Sequence, residues 1–575
     1  MSRLSSAFFA TFVALTLLSP AVAQEAPRRM AIIAPAQAVT AQHGMVVAQE
    51  SRAAKIGVDI LARGGNAVDA AVAVGFAMAV TYPRAGNLGG GGFMVIHRAQ
   101  PDENVTIDYR ETAPAAINTK TFLDADGNAD PQKSRASPLG VGVPGTVAGL
   151  ALAQEKYGSG KFTLAQLIAP AIALARDGIP VEDDTVASLP AAHDRFARYP
   201  ASAKIFLKPG GENLAPGDRL VQADLADTLE AIAHDGAPAF YAGPVAQKIA
   251  SAIQAGGGVM TAQDLASYHA VVRKPVTGSY RGYDVVSMPP PSSGGVHLIE
   301  MLNVLEGYSS QQIAGRDGPH LLAEIMKRAY ADRALYMGDP DRVKMPIAGL
   351  ISKSYARALR AGIDLHHARP STDIHPGIPV PREGNNTTHF SIVDAAGNAV
   401  SNTYTLNFSY GLGMVADGTG VLLNNELDDF AMKPFAPNAF GLVGFAANAP
   451  APGKRPLSSM TPTILLKDGA PVLVTGSPGG SRIITTVLQV IVNVIDRGMT
   501  VGEAVSAPRL HHQWLPDEVF VERNYPQDAI RELEARGHHV TVRSGPTSAN
   551  SIMVTPDGIV GAADPRTRGA LAAGY

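Results

Sequence analysis

The 575-residue sequence contains no cysteine. That excludes thiol nucleophiles, disulfides and thiolate metal sites in one step, so stability has to come from a packed core. An excess of either charge is also missing: 48 lysines and arginines against 51 aspartates and glutamates leave a formal net charge of −3. Neither that balance nor any basic stripe interleaved with aromatics supports a nucleic-acid partner. Beyond the first two dozen residues no apolar run is long enough for a bilayer span. Stretches such as 70–80 are short and alanine-rich, and read as buried helix.

What is present begins at the N-terminus. Arg3 precedes the apolar run 7–18, and Ala21-Val22-Ala23 places small residues at cleavage spacing. This predicts a secretory signal peptide over 1–23; the alternative, a membrane anchor, is disfavoured by the shortness of the run. A cysteine-free exported chain fits a bacterial periplasm or the medium, with no membrane association once the signal is removed.

Further along, Ala53, Ile56, Gly57, Ile60 and Leu61 recur at helical spacing, Gly64-Gly65 stops that helix, and Asn66 caps an almost wholly apolar one running to about Val80. A helix apolar on every side belongs inside a layered core. Strands are predicted at 93–96 and 105–109. The middle third reads as mostly helical, with helices at 164–175, 224–233, 244–255, 262–267 and 296–305 and an amphipathic one at 321–336. The stretch 339–386 has little periodicity and reads as a long exposed segment. Strands follow at 463–466, 471–475, 540–542, 551–554 and 559–562, with helices at 482–496 and 526–536. Strands at both ends with helices between them predict sheets covered by helices.

Two glycine loops, LGGGGF at 88–93 and GSPGGSR at 476–482, match neither GxxxxGK[ST] nor GxGxxG, so nucleotide binding is not expected. Each reads either as a tight turn or as exposed backbone N–H groups able to hold an oxyanion or a carboxylate. The histidines, His366, His367, His375, His511 and His512 among them, form no HExxH-type pattern and make a weak case for metal. His389 shares a strand face with Thr387 and reads as a core histidine rather than a base.

The stretch GNNTTHFSIVDAAGNAVSNTYTLNFSYG, 384–411, enters a hydroxyl-rich hairpin abruptly from a Pro- and Gly-rich segment. Its alternating runs 387–393 and 399–406 flank a turn at 394–398. It reads as a surface hairpin, or as a new N-terminus created by a cut before Thr387.

Thr387-Thr388-His389-Phe390-Ser391-Ile392, then Gly397-Asn398-Ala399-Val400-Ser401, then Thr403-Tyr404-Thr405-Leu406-Asn407 and Tyr410-Gly411 resemble the signature of the γ-glutamyltranspeptidases. The resemblance extends over 64–114, 289–295, 422–444, 454–460, 476–482 and 508–515. It implies an α+β fold, the four-layer αββα sandwich of N-terminal nucleophile hydrolases, cut from one precursor between Asn386 and Thr387. The products would be a large subunit, 24–386, and a small subunit, 387–575, associated as a heterodimer. One residue, Thr387, would supply both the nucleophilic hydroxyl and, through its freed α-amine, the base.

By the same resemblance, Thr405 hydrogen-bonds the nucleophile, and Gly479 and Gly480 form the oxyanion hole. Arg110 pairs with the substrate α-carboxylate, aided by Ser458 and Ser459. Asp429 holds the α-ammonium with Asn407 and Glu426. The implied donors are glutathione and other γ-glutamyl compounds, the acceptors water, amino acids or dipeptides, and no cofactor or metal is required. One departure concerns the lid loop 434–444, where Phe440 stands in place of the tyrosine of familiar bacterial members. This ring lacks the phenolic hydrogen bond, expected to reach Asn407, and related glutaryl-type cephalosporin acylases share that loss. An acylase on the same scaffold is therefore the alternative, and a catalytically silent secreted binding protein is a third class.

Overall fold

A computed structural model describes residues 36–375, 387–543 and 547–575. The predicted signal peptide, 1–23, and Asn386 lie outside the described residues.

Two seven-stranded antiparallel sheets form the middle of the molecule. In the first, the order is Val39–Ala41, Gly558–Ala562, Ser551–Thr555, Ala470–Thr475, Thr463–Lys467, Tyr283–Ser287, Val276–Tyr280. In the second it is Leu571–Gly574, Met45–Ala48, Thr388–Val393, Ala399–Thr405, Gly91–Arg98, Glu103–Tyr109, Val271–Arg273. Met45, Val47, Phe93, Val95, Ile464 and Val474 interdigitate between the sheets as a buried apolar cluster. Helices Ser51–Ala62 and Ala67–Thr81 pack with others on the outer face of the second sheet. Gly294–Leu305, Gly318–Tyr336 and Ile483–Ile495 cover the first. This is the αββα layering expected from the sequence.

The apolar helix Ala67–Thr81 is buried along its whole length. Its start is fixed by a capping box in which Asn66 accepts from the Val68 and Asp69 amides while Asp69 accepts from the Asn66 amide.

Three readings need correction. The strands of the hairpin are not on the surface: every residue of Thr388–Val393 and Ala399–Thr405 is buried. Its apolar side, Phe390, Ile392 and Val400, faces the helices. Its polar side faces the other sheet, where Ser391 donates to the Asn550 carbonyl (2.9 Å) and Ser401 to that of Thr475 (2.9 Å). Alternation in a sandwich thus marked two buried environments, not core and water. The helix read as amphipathic is enclosed too; Glu324, Lys327, Arg328, Asp332 and Arg333 are buried in Gly318–Tyr336 among charged and polar partners. Finally, 339–375 is more ordered than its composition suggests. It contains the helix Lys353–Ala361, capped by Ser352.

The exposed stretch 364–370 is held by its backbone. The Ala368 amide donates to the Arg536 carbonyl (2.7 Å) and the Ser371 amide to Asp517 (2.7 Å). Beneath it sit His320 and His538, bonded ring to ring at 2.8 Å, and His512 beside Asp517. Glu324, Lys327 and Arg536 face the same cluster. Burial lowers all three histidines, His512 to about 4. A histidine whose folded pKa is depressed contributes stability above its unfolded value, near 6.5, and loses it as pH falls toward the folded value. Amide exchange at 368 and 371, corrected for intrinsic rate, is therefore expected to accelerate roughly tenfold or more between pH 6.5 and 4. A protection factor that stays level would contradict this.

Candidate active site

Thr387 immediately precedes the strand Thr388–Val393, at the mouth of the second sheet, and is 8% exposed. Its hydroxyl lies 3.5 Å from that of Thr405, the last residue of the neighbouring strand. The Thr388–Tyr404 pairing brings the two ends together. The Thr405 hydroxyl in turn accepts from the Asn407 amide at 2.9 Å. LGGGGF belongs to this architecture. A Cβ at Gly90 would overlap the Thr405 carbonyl, and one at Gly92 the Tyr404 backbone, so the glycines admit the adjoining strand. No phosphate cradle is needed to explain them.

His389 is placed as a core histidine. Its ring bonds Thr403 (2.9 Å) and Ser391 (3.0 Å), and burial drives its pKa down to about 3.

Arg110 follows the strand Glu103–Tyr109 and is fully buried. Its guanidinium donates to Glu426, to Asp429 at 2.5 Å and to the Pro456 carbonyl at 3.1 Å. Glu111 lies 3.7 Å away, with neither carboxylate oxygen hydrogen-bonded to protein. Three buried carboxylates thus surround one guanidinium. Burial pushes all three pKa values up, with Arg110 opposing, and Glu111 reaches about 7. Such a cluster is short of positive charge by itself.

Ser458 and Ser459 lie against the loop 289–295, PPPSSGG. Ser293 donates to the Ser458 carbonyl from its amide (2.9 Å) and its hydroxyl (2.7 Å). The Ser458 hydroxyl accepts from the Met460 amide (3.1 Å), and the Ser459 hydroxyl accepts from Arg333 (2.9 Å). Arg333 also bonds Ser293 (2.9 Å), and burial lowers its pKa to about 10 while Asp429 works against that shift. Sequence reasoning missed Arg333, because it sits within a helix whose signal is only its period.

Asn407 adopts φ +74° and donates to the Asn425 carbonyl at 2.8 Å, while its Oδ1 is buried without a partner. Phe440 is 5% exposed, its ring edge-on to Phe408 with centroids 6.4 Å apart. Gly479 and Gly480 have φ of +134° and +55°, just before the helix Ile483–Ile495. A Cβ at Gly480 would overlap the Phe440 ring, which puts the segment 434–444 directly on this loop. Asn438, also missed, ties that segment to Asp429 (2.8 Å).

Two helix-covered antiparallel sheets with a hydroxyl residue opening a central strand define an N-terminal nucleophile hydrolase sandwich. The Gamma-glutamyltranspeptidase family model matches residues 53–574, and the chain belongs to that family. It is 52% identical over 540 residues to the glutathione hydrolase proenzyme of Escherichia coli, covering 93% of each chain. Among solved structures, a cephalosporin acylase from Bacillus halodurans aligns over 97% of this chain and 99% of its own, with TM-score 0.83 and 28% identity. A γ-glutamyltranspeptidase chain from Helicobacter pylori is 48% identical with TM-score 0.55, covering 57% of this chain and 93% of that one. The protein is thus an enzyme of γ-glutamyl transfer and hydrolysis. The catalytically silent alternative is set aside.

Proposed function

We propose that the chain is cut between Asn386 and Thr387 into a large subunit ending at 386 and a small subunit, 387–575, after loss of a signal peptide, 1–23, on export to a periplasm or the medium. Thr387 Oγ attacks its own preceding carbonyl, an N-to-O shift gives an ester, and water releases the chains. The two products share both sheets: Met45–Ala48 and Gly91–Arg98 flank the hairpin of the small chain. Their association is then part of the fold itself.

In turnover, the freed Thr387 amine takes the proton of its own hydroxyl, which attacks the γ-carbonyl of glutathione or another γ-glutamyl amide. Thr405 orients the nucleophile, and the Gly479 and Gly480 N–H groups receive the developing oxyanion. The protonated amine passes its proton to the leaving nitrogen, and the threonyl ester transfers its acyl group to water, an amino acid or a dipeptide.

The observation carrying the donor assignment is the charge around Arg110. A substrate α-carboxylate takes up the guanidinium, helped by Ser458 and Ser459, and so weakens the partner of Asp429 and Glu426. A buried carboxylate without a cation is costly, and the α-ammonium replaces what was lost, with Asn407 beside it. A glutaryl donor brings the carboxylate without the ammonium, which disfavours the acylase reading.

The test compares kcat/KM for a γ-glutamyl anilide and the matching glutaryl anilide. A preference of about a hundredfold or more, near 2.7 kcal/mol, is expected for γ-glutamyl. Equal or reversed preference promotes the acylase.

A further inference from the structure

Asp429 divides its carboxylate between two partners. Oδ2 accepts from Arg110, while Oδ1 accepts from the side-chain amide of Asn438, in the lid segment, at 2.8 Å. The other end of the same amide is the clasp of the lid turn: Asn438 Oδ1 accepts from the Phe440 amide (2.9 Å) and the Leu442 amide (3.1 Å). The Asn438 backbone closes the turn by donating to the Leu442 carbonyl at 3.0 Å. At the centre of that turn is Phe440, whose ring occupies the space a Cβ on Gly480 would need. A second tie runs beside the first, from the Ala439 amide to Asp428 (2.8 Å), itself fixed by Ser134 and Arg135. Asn407 Oδ1, by contrast, receives nothing from the lid.

We propose that Asn438 is a positioning residue that couples occupancy of the ammonium subsite to seating of the lid. The inference rests on the role given above to Asp429. When substrate draws Arg110 toward its carboxylate, the ammonium on Asp429 holds that side chain where Asn438 can still donate to it. The clasp then keeps Phe440 against the oxyanion loop. A donor without the ammonium leaves Asp429 without a fixed charge partner, and the lid seats less often. Donor selectivity is thereby expressed in lid closure as well as in binding.

Two variants separate the clasp from the link. Asn438→Ser keeps a short acceptor for the Phe440 amide and cannot reach Asp429; Asn438→Ala loses both. The probes are L-glutamate and glutarate, which differ only in the ammonium, with chymotryptic cleavage after Phe435 as readout. Phe435 is the exposed aromatic of the lid, 37% accessible, at φ +65°.

In the matured wild-type enzyme this cut is expected to be faster with glutarate bound than with L-glutamate, whose ammonium protects the lid. In both variants the protection is lost. KM for the γ-glutamyl anilide rises about tenfold or more while glutaryl anilide turnover stays within about twofold, as for loss of one hydrogen bond to a charged group. Intact mass first verifies that both chains have formed; if one variant fails to mature, the other is read. Retained protection in Asn438→Ser, or an equal loss for both anilides, overturns the inference while leaving the donor assignment standing. A wild-type enzyme indifferent to the ammonium in the anilide comparison overturns the assignment itself.

Discussion

Thr387→Ala is expected to give a single chain that does not separate under denaturing conditions and does not mature on incubation. The variant keeps the strand Thr388–Val393 and its pairing with Ala399–Thr405, so it should fold. What it loses is the only atom able to attack both the preceding carbonyl and the donor. Residual turnover should fall by roughly 10^4-fold or more, the scale of losing a covalent nucleophile. Intact mass and anilide hydrolysis read the two losses separately. A variant that is cut yet inactive would leave the nucleophile role standing and assign processing to another group. A cut and active variant would remove Thr387 from the mechanism altogether.

The second large effect is expected at Asp429. Asp429→Asn keeps the side-chain shape and removes the charge that answers the α-ammonium. Truncating one side of a buried, hydrogen-bonded charge pair costs about 2–5 kcal/mol, so kcat/KM for a γ-glutamyl anilide should drop by roughly two to three orders of magnitude. The loss should be much smaller for a glutaryl anilide, which has no ammonium to hold. The substitution also relieves the crowding of Glu111, Glu426 and Asp429 around Arg110, so stability should hold or rise slightly. An equal loss for both donors would make Asp429 a support for Arg110 rather than the ammonium acceptor.

Much of this was legible because the relevant groups sit where local signals are strong. The hairpin 387–406 announced itself by alternation and a Gly-Asn turn, and the apolar helix by its Asn66 cap. Arg110 was legible only through the family resemblance, since on its own Arg110-Glu111 reads equally as a structural ion pair. Burial was not: the polar face of the hairpin looked solvent-facing until the first sheet covered it. The strands Val39–Ala41, Met45–Ala48 and Leu571–Gly574 were missed because each is three or four residues long and exists only through partners hundreds of positions away. Arg333 and Asn438 escaped for a related reason. Their meaning lies in what they reach, Ser459 and Asp429, and nothing in their own neighbourhoods points there.

Whether Thr387 carries the γ-glutamyl group is read from the mass of the small chain during turnover. The matured enzyme is mixed with a γ-glutamyl donor, quenched in acid within the first turnovers, and the two chains are weighed. A small chain beginning at Thr387 is expected, a fraction of it heavier by one γ-glutamyl group, with fragmentation placing that mass on Thr387 and an added dipeptide acceptor shrinking the fraction. An adduct on another residue, or on the large chain, would contradict that role of Thr387.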